Sequence, residues 1–320
     1  MKEIYHICAQ PADFYYSWQV DAMLLSFEKF GEVDLTKVHV VSSVYLHNPV
    51  PNEHFKLVQE KWEKKGVIFD YYKDTRQNSK YISSIRPHLL KKHWQKYPWL
   101  EQKDIFYHDC DIALSKKIDF DSFFDENAQK ECYLSDTRGY IGPNYIKSKG
   151  HDLLEDMCKI AFIDPVVVEA KEEESGGAQY LLRPGIDYKF WDEVYDISER
   201  LFHEINQKCL QIKRDEPDWH ELQIWCADMW AVLWSLWKRG YKTPIKKELN
   251  FTWANQKANQ WPKNAIFHNA GVVKQEEGKP FYKAMYMNQS PIEAPIPDEE
   301  WASYNYLQLV REAWANTTNN

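Results

Sequence analysis

Short apolar runs rich in β-branched and aromatic residues alternate, from the start of the chain, with longer stretches whose apolar positions recur every three or four residues. The short runs "EIYHICA" (3–9), "KVHVVSSVYL" (37–46), "VIFDYY" (67–72), "DIFYHDCDIAL" (104–114) and "ECYLSD" (131–136) predict five strands. Between them, 14–31 predicts a helix that stops at Gly31 with Lys29 in its last turn. Residues 54–66 predict an amphipathic helix stopped by Gly66, and 83–98 a helix with Pro87 in its first turn. Such alternation implies an α/β fold, a largely parallel sheet with helices on both faces. In sheets of this kind ligands gather beyond the carboxyl ends of strands.

The second half has a different pattern. The charged stretch 169–177 ends in two glycines and predicts a loop, followed by a strand at 178–183. A helix is predicted over 190–212. A longer one follows over 215–240, capped by Asp215, with Pro217 near its start and Lys238, Arg239 and Gly240 at its stop. Residues 264–271 predict a short strand running into a turn. The Pro-rich 290–300 reads as a connector to a last helix, 301–315, with Trp301, Tyr304, Leu307, Val310 and Trp314 at helical spacing. No internal repeat is present. These elements predict one domain over 1–289, with 290–320 a connector and C-terminal helix packed on it.

A length of 320 residues suits a large core, and 44% hydrophobic with 28% charged residues is ordinary for a globular chain. The net charge of −8 disfavours a protein that depends on nucleic-acid phosphates, although a local basic groove stays open. No stretch approaches 18 apolar residues, so no membrane span is predicted. The first residues lack an apolar signal core. Six scattered Cys without CxxC spacing predict buried free thiols in a reducing compartment, hence a cytoplasmic protein. The 14 Trp, 20 Tyr and 15 Phe suit either stacking surfaces for sugars and bases or a filled core.

Asp109 and Asp111 flank Cys110 at the end of an apolar strand. Residues two apart on a strand point the same way. Two acids on one face repel unless a cation neutralises them. Carboxylate oxygens suit Mg²⁺ or Mn²⁺, often shared with substrate phosphates. The other reading is a solvated turn in which both acids face water. Further along, "IFHNAGVVKQEEGKPFYK" (266–283) holds His268, an imidazole suited to be a third ligand, and Lys279, a cation for a diphosphate. By itself a His after a strand is more often a surface or core residue than a ligand.

"DIFYHDCDIAL" resembles the DxD strand of GT-A-fold glycosyltransferases. "HNAG…KPF" is similar to the HxxGxxKPW element of their glycogenin-like, retaining branch. Seven residues separate Gly271 from Lys279 here where that pattern has two, and Phe281 stands where it has Trp. The resemblance implies a GT-A-like Rossmann-type mixed sheet flanked by helices, covering about residues 1–285. It implies a divalent metal, Mn²⁺ or Mg²⁺, on Asp109, Asp111 and His268, with Lys279 on the donor phosphates. The donor would be a nucleotide-diphospho-sugar, a UDP-sugar first among them. The acceptor would be a glycan, a lipid-linked precursor, a protein or a modified base.

Under the same resemblance, Gly176 and Gly177 allow close backbone approach and Gln179 bonds a sugar hydroxyl, unless 175–182 simply runs into a buried strand. Arg86, at a helix start, would reach a donor phosphate. Asp136 and Arg138 follow another strand. Asp228 lies in the apolar "WCADMWAVLW", where an acid is costly unless satisfied or functional. It is the candidate catalytic or acceptor-binding carboxylate. Glu221, seven residues earlier, would share its helix face. Trp225, Trp230, Trp234 and Trp237 are predicted core. Two other classes compete. A haloacid-dehalogenase-type phosphatase also uses DxD, but on its first strand, and position 113 is Ala where Thr or Val is expected. A catalytically inactive sugar-nucleotide fold that binds glycans would have no need of an intact DxD with His268.

Overall fold

In the computed structural model, which describes residues 3–124, 130–274, 276 and 278–318, the alternation in the first third is realised almost residue for residue. β1 (Ile4–Pro11), α1 (Phe14–Ser26), β2 (Val38–Val44), α2 (Glu53–Glu63) and β3 (Ile68–Lys73) follow in turn, then α3 (Ile85–Lys96). Every β2 residue is buried, as a β-branched run of this kind requires. Asn52 caps α2 by accepting the His54 N–H at 2.9 Å.

The strand expected over 104–114 is two strands. β4 (Asp104–Tyr107) ends, the chain turns through 108–111, and β5 (Ile112–Leu114) begins a different sheet. β6 (Tyr133–Asp136) is followed by the short helices α4 (Arg138–Ile141) and α5 (Pro143–Lys147), then α6 (Leu153–Ala161) and α7 (Pro165–Glu169). β7 (Gly176–Leu182), α8 (Tyr188–Arg200), α9 (Asn206–Asp215), α10 (Ala227–Lys238), β8 (Phe251–Trp253), β9 (Ile266–His268) and α11 (Ala302–Thr318) complete the chain. The helix expected over 215–240 is therefore only its second half. Residues 216–223 are irregular, because Pro217 and the polar "DEPDWHE" offer no continuous apolar face to bury.

The chain divides into two compact units. One comprises Met1–Asp74, Tyr107–Phe123 and Glu248–Asn320; the other comprises Thr75–Phe106 and Phe124–Lys247. In the first unit β3, β2 and β1 are parallel neighbours, with His6 opposite Val38 and His39 opposite Ile68. A second small sheet has the order β5-β9-β8, β5 antiparallel and β8 parallel to β9. α11 packs on α1 and α2 through Asp21, which is buried. Its carboxylate accepts the Lys61 ammonium at 2.8 Å, the Trp62 indole N–H at 2.7 Å and the Thr317 hydroxyl at 2.6 Å. The C-terminal helix is thus tied into this unit by a satisfied buried acid.

In the second unit β4, β7 and β6 lie side by side in that order, with β6 antiparallel to β7. α8 packs against both α3 and α10. Trp94, Trp191, Trp230 and Trp234 are fully buried here, each contributing about 2–3 kcal/mol of apolar burial. Trp225 departs from the core expectation. It precedes α10, is 57% exposed and stacks on Tyr140. All six cysteines are free and buried. Among the described residues no helix is long and apolar enough to cross a membrane.

Candidate metal centre

Asp109 and Asp111 lie in the turn between β4 and β5, so turn geometry rather than strand alternation aims their side chains. β5 is held by β9, and their antiparallel register sets Ile112 opposite His268. The Asn269 N–H then donates to the Asp111 carbonyl at 2.9 Å. This pairing carries His268 across more than 150 residues of sequence to the turn. Its Nε2 lies 3.3 Å from Asp111 Oδ1 and 3.7 Å from Asp109 Oδ2. One ligand atom from each of Asp109, Asp111 and His268 lies within 4.8 Å of the others. The ring is backed by Trp253, its partner in the β8–β9 register, stacked at 6.2 Å and 8°, and by Phe251 at 5.1 Å. Two carboxylates and an imidazole are a donor set that fits Mn²⁺ or Mg²⁺.

The cation beside this set is not the one expected. Lys279 is exposed, its N–H on the Glu276 carbonyl at 3.2 Å. Lys283, four residues on, pairs its ammonium with Asp111 Oδ2. The signal for it was present in "KPFYK", but spacing alone could not choose between two lysines. Burial alone would raise the Asp111 carboxyl. The Lys283 ammonium and the His268 ring outweigh burial and hold it well below the usual carboxylate range. Burial pulls His108, at the start of the turn, down to about 4, so its imidazole stays neutral beside the acids.

The second unit holds a different cluster. Asp228 lies in the first turn of α10, not in a helix interior, so the helix dipole favours its charge. Arg86 Nη2, from the start of α3, is 2.6 Å from Asp228 Oδ2. The Tyr81 hydroxyl is 2.6 Å from Asp228 Oδ1 and 2.5 Å from the Trp225 carbonyl. Burial first, and the Asp228 charge second, push the Tyr81 phenol well up, so it keeps its proton as a donor. The turn carrying Tyr81 is pinned by Glu199 of α8, which accepts from Ser79, Ser84 and the Lys80 N–H. Glu221 does not share the α10 face. It lies in the irregular segment, exposed, 3.9 Å from Lys213.

Other candidates serve local structure. Gly176 and Gly177 lie within buried β7, not in a loop. A Cβ on Gly176 would meet the Ser135 carbonyl and Ile245 at 2.5 Å, and one on Gly177 would meet the Tyr180 hydroxyl at 2.7 Å. The close approach they permit is to the protein itself. Gln179 is fully buried, accepting from Ser135 Oγ at 3.1 Å. Asp136 forms a forked pair with Arg138 at 3.0 and 2.8 Å, which holds its carboxyl below the usual value.

No family model matches the chain, and none of the curated proteins matches it. Solved structures do. The bifunctional glycosyltransferase WbbM, in its apo form, is similar at a TM-score of 0.51 and 8% identity, over 98% of this chain and 52% of that one. The chain thus spans about half the length of WbbM. The galactosyltransferase LgtC, in complex with donor and acceptor sugar analogues, is similar at a TM-score of 0.44 and 12% identity, over 98% and 99% of the two chains. Mouse xyloside xylosyltransferase 1 is similar at a TM-score of 0.39 and 10% identity, over 83% and 98%. Identities this low speak to architecture, and on the first of these likenesses the chain has a GT-A-like mixed α/β fold.

Proposed function

We propose that this chain is a glycosyltransferase that takes its sugar from a nucleotide-diphospho-sugar, a UDP-sugar first among them, with Mn²⁺ or Mg²⁺ held by Asp109, Asp111 and His268. The observation that carries this reading is the convergence of those three side chains at one turn of a GT-A-like fold. A divalent ion there would neutralise charge developing on the diphosphate leaving group. The chain's own residues prepare for it. Asp109 and Asp111 offer hard oxygens, and the Trp253 and Phe251 rings fix the His268 imidazole toward them.

Asp228 is better suited to holding Arg86 than to taking a proton, since both its oxygens already have partners. The likeness of the His268 element to the retaining branch favours a retaining course, which asks for no base on the acceptor. The test is release of UDP from a set of UDP-sugars, with and without Mn²⁺, by the wild type and by Asp111→Asn. The proposal expects Mn²⁺-dependent release by the wild type and its loss in the variant. It fails if the wild type neither binds UDP with Mn²⁺ nor releases it from any UDP-sugar.

A further inference from the structure

We propose that Lys283 is an internal counter-cation of the candidate metal centre. It pairs with Asp111 and must leave when a divalent ion binds, so it sets the affinity of the site for metal. The inference rests on the metal reading above and concerns how that site is regulated.

Asp111 has two carboxylate oxygens. Oδ1 faces His268 Nε2 at 3.3 Å, and Oδ2 is taken by the Lys283 ammonium. Asp109 brings a second carboxylate to within 3.7 Å of the same imidazole. Two acids this close, one of them buried, repel unless a positive charge lies between them. Lys283 provides one charge; a divalent ion provides two. An ammonium carries three donors and no lone pair, so it cannot join the ion's ligands and would be repelled by it. Occupation of Asp111 by Lys283 and by a divalent ion are therefore competing states.

The backbone beside Lys283 is anchored, which makes the exchange a side-chain movement. Phe281 is fully buried, its ring against Tyr286 at 5.3 Å and Tyr306 at 6.4 Å. Its N–H donates to Ser303 Oγ of α11 at 3.0 Å. Lys283 itself begins the 3₁₀ turn Lys283–Tyr286. Its long, flexible stem lets the ammonium swing away while that turn stays in place.

The probe is MnCl₂ alone, titrated calorimetrically into the full-length wild type, Lys283→Met and Lys283→Arg. Removing the competing cation should tighten Mn²⁺ binding about 10-fold or more in Lys283→Met. Lys283→Arg keeps a cation at the site and should bind as the wild type does. Circular dichroism melting checks folding, and Lys283→Gln replaces the Met variant should that one not fold. Equal or weaker binding by the neutral variants, with normal binding by the wild type, overturns the counter-cation role and leaves the glycosyltransferase reading standing. Absence of Mn²⁺ binding in all variants and the wild type overturns both.

Discussion

Asp111 and Asp228 are equally buried, and each holds a cation on its Oδ2, yet their surroundings differ in charge balance. Around Asp228 one carboxylate meets one guanidinium, and a phenol donates to the remaining oxygen. Around Asp111 a second carboxylate, Asp109, adds negative charge beside the Lys283 ammonium and the His268 imidazole. The first arrangement stabilises a local structure and fixes the direction of Arg86. The second gathers two carboxylates and an imidazole within reach of one ion. A buried acid is therefore informative about chemistry only when its partners are counted.

The largest expected difference between the two is in turnover. Asp111→Asn should lower Mn²⁺-dependent UDP release on the order of 100-fold or more, and Asp228→Asn should lower it much less. Equal losses in two folded variants would erase the distinction, and a steady-state rate comparison reads it. Stability should show the opposite order of importance for the second cluster. Arg86→Ala leaves Asp228 buried without its counter-ion and should cost about 3 kcal/mol, read as a shift in denaturation midpoint. Tyr81→Phe removes only a hydroxyl donor and should cost about 1 kcal/mol by the same measurement.

The smallest effect sharpens how Tyr81 and Arg86 are placed. Burial alone would raise the Glu199 carboxyl, but the hydrogen bonds from Ser79 and Ser84 and from the 80–81 backbone hold it below its ordinary 4.5. A carboxyl depressed in the folded state adds stability above its unfolded value and loses it as pH falls. The wild type should thus exceed Glu199→Gln in stability at pH 7, with the gap shrinking below about pH 4.5. A gap that widens on acidification would show that Glu199 does not pin this turn as an anion.

The parts of the molecule legible in sequence are those where one local pattern decides. The β-branched run of β2 and the capped, amphipathic α2 could hardly form anything else. His268 became a candidate through the likeness of "HNAG" to a known element, since a His after a short strand carries no such signal by itself. What was not legible depends on partners distant in sequence. The strand over 104–114 divides at residue 108, since β4 and β5 are recruited by different neighbours, β7 and β9. That Lys283 pairs with Asp111 depends on a contact 172 residues apart in sequence, which no local pattern announces. Gly176 and Gly177 looked like ligand-approach glycines, and only the Ser135 carbonyl and the Tyr180 hydroxyl beside them show otherwise. Asp228 looked like a mid-helix acid because nothing in "PDWHELQIW" marks where the helix starts.

Crystals of the full chain grown with MnCl₂ and UDP, measured at the manganese absorption edge, test the central claim most directly. The account predicts one strong anomalous peak within ligand distance, about 2.0–2.3 Å, of Asp109, Asp111 and His268, with the Lys283 ammonium moved off Asp111. An anomalous peak elsewhere, or UDP bound with no peak at this turn, would contradict it.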